Sequence, residues 1–152
     1  MNRRDQIRMS DEEMRAFLGE QRILQVATLD HDGWPHLVAI WYVLVDDQIV
    51  FWTYAKSQKA VNLRRDNRLT CLVEMGLRYE ELRGVQIKGR AILKDDRETV
   101  QRTGEMIFER YMGPLNDNLR QIVAAQAPKR VLVFVEPLEI ASWDHGKLGG
   151  GY

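Results

Sequence analysis

The chain of 152 residues lacks the features that mark most secreted, membrane-spanning and nucleic-acid-binding proteins. It has one cysteine, so an intrachain disulfide is excluded and a reducing compartment is favoured. No apolar run approaches the roughly 20 residues of a membrane-spanning helix, and the first residues lack the apolar stretch of a secretory signal. Because 22 basic residues balance 22 acidic ones, the composition favours neither nucleic acid nor a membrane surface as a partner. These absences predict a cytoplasmic protein.

What the chain does have is enough apolar residues for one ordinary domain. Hydrophobic residues make up 45% of it, and a chain of this length can bury a sizeable core. We expect an N-terminal extension over residues 1–9, a single domain over 10–143 and a glycine-rich tail over 144–152. The tail is either a frayed end or a segment that docks on a partner subunit.

About six short apolar segments, never in the βαβ order, predict a mainly β protein, a small antiparallel barrel with peripheral helices. Ser10 begins a capping-box pattern that predicts a first short helix. Three strands are predicted over 23–29, 37–45 and 49–54, and their short separations favour antiparallel pairing. The other predicted elements are a helix capped by Ser57 that runs to Asp66, strands over 69–73, 85–93 and 130–135, and helices over 95–111 and 116–126.

The densest cluster of charge lies between Lys56 and Arg68, where five basic residues accompany one acidic residue. This segment follows a strand and opens a helix, and the N–H groups at a helix start favour an anion. Ser57 adds a hydroxyl and Lys59 an ammonium at the same point, so a phosphate would gain charge-assisted hydrogen bonds. The alternative is a capped surface helix with solvated basic residues.

The second predicted strand is rich in aromatic and β-branched residues. Strand alternation places His36, Val38 and Ile40 on one face, and Ala39 and Trp41 on the other. Such a strand could supply the apolar wall that a flat cofactor needs. It could equally be barrel core or a subunit contact.

Other chemistries have little support in the sequence. The three histidines, His31, His36 and His145, have no metal-ligand spacing. Cys71 lies in the middle of a predicted strand, where a buried thiol is usually inert. Neither a nucleophile elbow nor a Rossmann glycine motif is present. No catalytic residue is assigned, and we expect that a bound cofactor would supply the chemistry of an enzyme.

Three segments together resemble a known family. They are Ala27-Thr-Leu-Asp-x-Asp-Gly-x-Pro-His36, Ser57-Gln-Lys-Ala-Val-Asn-Leu-Arg-Arg-Asp66 and Gly89-Arg-Ala91. In this order they resemble the pyridoxamine 5′-phosphate oxidase-like superfamily, and within it the flavin/deazaflavin oxidoreductases that use coenzyme F420. The second segment is particularly similar to the F420-dependent biliverdin reductases of that group. The similarity spans roughly residues 10–145.

The resemblance implies a split β-barrel that forms a homodimer, with the cofactor in a groove at the subunit interface. It implies that Ser57 and Lys59 hold the cofactor's phosphate, although Val61 stands where some relatives carry an arginine. It also implies that the tail around Trp143 packs near the active site. The implied cofactor-binding residues are His36, Val38, Ala39, Ile40, Trp41, Thr53, Lys56, Ser57, Gln58 and Lys59.

The implied activity is that of an F420-dependent reductase, which delivers a hydride to a small electron-poor acceptor such as a quinone, an enone or biliverdin. Arg64, Arg65 and Arg68 are either partners of the F420 polyglutamate tail or ordinary surface charges. Two alternatives stay open. One is an FMN-dependent oxidoreductase or oxidase, and the other is a non-catalytic binder of a cofactor or tetrapyrrole, with His36 or His145 as ligand.

Overall fold

The computed structural model, which describes residues 1–150, contains one antiparallel sheet of seven strands that curls into a split barrel. Along the sheet the strand order is β2-β1-β5-β6-β7-β4-β3. The strands are β1 Leu24–Leu29, β2 Pro35–Ile40, β3 Val43–Val45, β4 Gln48–Tyr54, β5 Arg68–Met75, β6 Arg83–Lys94 and β7 Arg130–Asp144. The helices are α1 Arg3–Ile7, α2 Asp11–Glu20, α3 Gln58–Arg65, α4 Arg97–Met112 and α5 Asp117–Gln126.

The predicted mainly β barrel with peripheral helices is confirmed, and the two faces of the sheet bury separate apolar clusters. One cluster fills the barrel, where Phe17 of α2 and Leu63 of α3 meet side chains of the strands. The other lies between the outer face of the sheet and helices α4 and α5, with Trp52 and Ile107 at its centre. No helix among residues 1–150 is long and apolar enough to cross a membrane.

The prediction of a single strand over 37–45 is wrong, and this error explains why seven strands are found instead of six. The segment divides at Trp41-Tyr42 into β2 and β3, which lie at opposite edges of the sheet. The Tyr42 backbone is held by side chains: its N–H donates to the Tyr111 hydroxyl over 3.0 Å, and its carbonyl accepts from the same hydroxyl over 2.9 Å. The Tyr42 side chain is buried, and its hydroxyl donates to the Leu18 carbonyl over 2.6 Å.

The ends of several elements form where the sequence predicts them. Ser10 and Glu13 make the reciprocal hydrogen bonds of a capping box at the start of α2. Asp46 and Asp47, both with positive φ, form the turn between β3 and β4. At Gly89 the pairing of β6 with β7 shifts register, which is a β-bulge of the kind that a glycine accommodates.

The tail is ordered on its own chain as far as the structure describes it. Residues His145–Leu148 form a short 3-10 turn, and Lys147 Nζ donates to the Arg8 carbonyl over 2.8 Å and to the Glu13 carboxylate over 2.6 Å. The hydrogen bond from Lys147 holds the pKa of Glu13 below its usual value. Residues 151 and 152 of the predicted tail lie outside the described residues.

Candidate cofactor site at the start of helix α3

The end of β4 and the start of α3 are joined by a tight turn. The Ser57 N–H donates to the Tyr54 carbonyl over 2.9 Å, and the Ala55 N–H donates to the Lys129 carbonyl over 2.8 Å. Thr53 is the last buried residue of β4. The turn therefore brings Thr53, Ser57 and the first residues of α3 together, as the sequence predicts.

Ser57 caps the helix and still has a hydrogen-bond donor to offer. Its Oγ accepts from the Ala60 N–H over 3.2 Å and from the Thr53 hydroxyl over 3.1 Å. With both lone pairs used, the remaining capacity of the Ser57 hydroxyl is its own proton. The first i→i−4 hydrogen bond of α3 runs from the Val61 N–H to the Ser57 carbonyl. Within residues 1–150 the N–H groups of Gln58 and Lys59 thus have no protein acceptor.

Lys59 is a half-buried cation without an anionic partner in the described part of the chain. Burial lowers the pKa of its ammonium, and repulsion from Arg130 lowers it further. Lys56 is exposed at the turn, and Gln58 is exposed but donates to the Asn62 side chain over 2.8 Å. The start of α3 therefore presents a fixed positive charge, two backbone donors and one hydroxyl donor. These groups are complementary to a phosphate.

Two residues near this site carry no role in the sequence analysis. Arg130 begins β7 directly opposite Tyr54, and its guanidinium lies 3.8 Å from the centre of the Tyr54 ring. The pairing of β7 with β4 cannot be predicted from the sequence, so the proximity of Arg130 to Lys59 could not be predicted either.

Asn62 is the second such residue, and it is fully buried. Its amide donates to the Thr28 hydroxyl over 3.0 Å and to the Asp30 carboxylate over 2.8 Å, while its carbonyl oxygen accepts from Gln58. The sequence contains one sign of this role, because Asn62 is a polar residue on the inner face of the predicted helix, between Ala60 and Leu63. This network holds α3 against β1.

The residues predicted on the second strand form a different group at the edge of the sheet. His36, Val38 and Ile40 are half-buried on one face of β2, whereas Ala39 is exposed on the other. His36 Nδ1 is buried without a hydrogen-bond partner. Trp41, just after β2, stacks on the Tyr111 ring with centroids 4.5 Å apart.

No hydrogen bond or ring contact among residues 1–150 joins the β2 residues directly to the start of α3. One link between the two groups runs through β1, because Asn62 of α3 donates to Thr28, and Thr28 pairs with His36 of β2.

The three arginines near the end of α3 bond to their own chain. Arg64 donates to the Ala55 carbonyl over 2.7 Å, Arg65 donates to the Leu29 carbonyl, and Arg68 pairs with Asp66 over 2.7 Å. Hydrogen bonds from Arg68 lower the pKa of Asp66 to about 2. These residues line an open cavity of about 590 Å³ at the far end of the helix from Ser57.

Other chemistry is not built into the described residues. Burial raises the pKa of the Cys71 thiol to about 12, so this thiol is unreactive at neutral pH, as its place in a strand predicts. No group of three or more His, Cys, Asp or Glu side chains between residues 1 and 150 is arranged to hold a metal ion.

An antiparallel split barrel with a cluster of anion-binding groups at a helix start defines a class of cofactor-binding domains. The chain belongs to the pyridoxamine 5′-phosphate oxidase family, whose family model matches residues 10–144. This result confirms the superfamily resemblance on which the site prediction was based.

Two relatives from Mycobacterium tuberculosis are similar over most of their length. An F420H(2)-dependent biliverdin reductase, strain CDC 1551 / Oshkosh, is 29% identical over 136 residues, which cover 88% of this chain and 94% of the relative. The crystal structure of the conserved hypothetical protein Rv2991 superposes with a TM-score of 0.93 at 42% identity, covering all of this chain and 95% of the other. A structure described as an F420 reductase has a TM-score of 0.68 at 22% identity over 84% of this chain and 94% of that one, and shares the fold.

Proposed function

We propose that this protein is an F420-dependent reductase and that the start of α3 holds the phosphate of the cofactor. One observation carries the proposal. Ser57 caps α3 and its hydroxyl bonds to that of Thr53, next to a half-buried Lys59 that has no carboxylate partner within residues 1–150. The similarity to an F420H(2)-dependent biliverdin reductase supports F420 as the cofactor.

The groups at the start of α3 fit a phosphate in number and charge. Ser57 would donate from its hydroxyl, Gln58 and Lys59 from their backbone N–H groups, and the Lys59 ammonium would supply the opposite charge. Thr53 positions the Ser57 hydroxyl by donating to its oxygen over 3.1 Å. Lys56, exposed on the same turn, would add a second, more flexible cation.

The β2 residues would form the wall against the flat ring of the cofactor. His36, Val38 and Ile40 present a half-buried face, and the buried Nδ1 of His36 has no hydrogen-bond partner within residues 1–150. Ala39 lies on the opposite face of β2 and Trp41 stacks on Tyr111 beyond the strand, so these two predicted residues would contact the cofactor from outside this wall. We propose a homodimer in which the groove between the subunits unites the β2 group and the α3 group, since no hydrogen bond or ring contact joins them directly within residues 1–150 of one chain.

When bound, reduced F420 supplies a hydride for an electron-poor acceptor, and the proposed acceptors are quinones, enones and tetrapyrroles such as biliverdin. The chain's own residues would orient the ring and exclude water from it. The described residues contain no nucleophile or acid–base pair that would do the chemistry independently, so we assign no catalytic side chain.

The alternative cofactor is FMN, which also carries a phosphate and a tricyclic ring. The same donors of Ser57 and Lys59 fit its phosphate monoester. The membership in the pyridoxamine 5′-phosphate oxidase family supports this second candidate.

A titration of purified protein with F420 and, separately, with FMN tests the proposal. We expect saturable binding of F420 at micromolar concentrations, and oxidation of reduced F420 when a quinone, an enone or biliverdin is added. Tight FMN binding without F420 binding would transfer the assignment to an FMN oxidoreductase. F420 binding without turnover of any acceptor would favour a non-catalytic carrier, and the absence of binding to either cofactor would refute the proposal.

A further inference from the structure

Arg130 is a half-buried cation that uses few of its hydrogen-bond donors on its own chain. A guanidinium has five N–H donors. One terminal nitrogen, NH2, donates to Gln126 Oε1 over 2.9 Å, and within residues 1–150 no other group accepts from the Arg130 side chain. Its Nε is buried and has no acceptor among the same residues. Leaving a buried donor unpaired is costly, so its retention calls for an explanation.

Two aromatic rings of β4 hold the guanidinium of Arg130. Its central carbon lies 3.8 Å from the centre of the Tyr54 ring and 4.8 Å from that of Trp52. Tyr54 is also the residue whose carbonyl accepts from the Ser57 N–H over 2.9 Å. Arg130 therefore contacts the side chain of the residue that begins the turn to Ser57, and its charge acts on Lys59 in the first turn of α3.

Arg130 and Lys59 form a pair of like charges that the protein does not neutralise. Neither residue makes an ion pair in the part of the chain described. Burial lowers the pKa of both groups, and Arg130 further lowers the pKa of Lys59 by repulsion. Two half-buried cations in mutual repulsion destabilise the cofactor-free protein, and an anion between them would remove that cost.

We propose that Arg130 is a phosphate ligand that completes the site made by Ser57 and Lys59. This inference rests on the proposed function in that it assigns the phosphate to F420 or FMN. A guanidinium presents a planar fork that donates two parallel hydrogen bonds to an oxyanion, whereas the Lys59 ammonium acts as a point charge. Contact with the rings of Tyr54 and Trp52 restricts the motion of the Arg130 guanidinium before a ligand binds, so less conformational entropy is lost on binding.

The test compares dissociation constants for F420 and FMN, measured by fluorescence titration, in the wild type and three variants. Arg130→Gln removes the charge, Arg130→Lys keeps the charge without the fork, and Arg97→Gln removes an exposed arginine at the start of α4. We expect Arg130→Gln to weaken the binding of the cofactor that the wild type binds by about tenfold to a hundredfold, as for loss of a charge-assisted hydrogen bond. The dissociation constant of Arg130→Lys should lie between those of Arg130→Gln and the wild type, and Arg97→Gln should bind like the wild type.

Binding by Arg130→Gln within twofold of the wild type would overturn the inference, provided that the wild type binds a cofactor. If the wild type binds neither F420 nor FMN, the proposed function fails, and inorganic pyrophosphate then tests Arg130 separately. A rise in the melting temperature of the wild type with pyrophosphate that is lost in Arg130→Gln and partly kept in Arg130→Lys supports the inference. No rise in the wild type, or an equal rise in all variants, overturns it.

Discussion

The side-chain amide of Asn62 donates a hydrogen bond to the Thr28 hydroxyl over 3.0 Å and so joins helix α3 to strand β1. The same amide group donates to Asp30, and its oxygen accepts from Gln58. Asn62 is fully buried, so every one of these bonds replaces a bond to water. The position of the helix that presents Ser57 therefore depends on this network.

Replacing Asn62 with leucine should destabilise the protein by about 1–3 kcal/mol. The leucine would leave the hydroxyl of Thr28 without the amide that now bonds it in the interior, and the cost is the desolvation of the unpaired group. Urea unfolding measures the change. Asn118→Ala, at an exposed position on α5, is the matched control and should change the free energy of unfolding by less than about 0.5 kcal/mol. Equal effects of the two substitutions would contradict the role of the network.

The substitution Lys59→Ala should weaken cofactor binding by about 1–3 kcal/mol, because it removes a charge-assisted hydrogen bond to the phosphate. The fold should survive, since the Lys59 ammonium has no protein partner within residues 1–150. Isothermal titration with F420 or FMN gives the change in affinity. Arg97→Ala, at the exposed start of α4, should bind like the wild type. Wild-type affinity in Lys59→Ala would mean that the phosphate lies elsewhere.

The pH dependence of stability offers an independent check on Lys59. Burial and repulsion from Arg130 lower the pKa of Lys59 in the folded protein below its ordinary value, so the unfolded chain binds more protons at this group. Stability therefore rises with pH as the solution passes from the folded pKa to the unfolded one. Urea unfolding of wild type and Lys59→Ala in that alkaline window should show a shallower rise for the variant. Parallel curves would refute the shifted pKa.

Gly84 and Trp143 form a contact that has no room for a side chain. A Cβ added to Gly84 would overlap the Trp143 ring across the β6–β7 pair. We expect Gly84→Ala to destabilise the protein by about 1–3 kcal/mol through overpacking. Gly19→Ala is the matched control, since nothing lies within 4 Å of a Cβ there and Gly19 is inside α2. Thermal unfolding should show a lower melting temperature for Gly84→Ala and a higher one for Gly19→Ala. The expected gain in the free energy of unfolding for Gly19→Ala is about 0.5–1 kcal/mol.

The elements with local determinants could be predicted from the sequence. Ser10 and Ser57 act through hydrogen bonds to residues three positions later, and the bulge at Gly89 needs only a missing side chain. The break at Tyr42 could not be predicted, because Tyr111, 69 positions away, makes the hydrogen bonds that remove this residue from the strand.

The same division applies to the candidate site. Ser57, Gln58 and Lys59 are neighbours in the chain, so a helix-start motif suffices to group them. Arg130 joins them only because β7 pairs with β4, which places it opposite Tyr54. Long-range strand pairing is not encoded in any short motif, so the position of Lys59 at the helix start could be predicted and that of Arg130 beside β4 could not.

The last prediction concerns the proposed homodimer. Leu138, on β7, is 61% exposed and lines an apolar groove of about 380 Å³ together with Pro35 of β2. Exposed apolar side chains beside a groove are typical of a surface that another subunit covers. Sedimentation equilibrium at micromolar concentration should show a dimer for the wild type and a monomer for Leu138→Glu. Leu77→Glu, in an exposed loop, is the control and should remain dimeric. Because the dimer is proposed to unite β2 with the start of α3, Leu138→Glu should also lose cofactor affinity, and a monomeric wild type that binds cofactor would refute the shared groove.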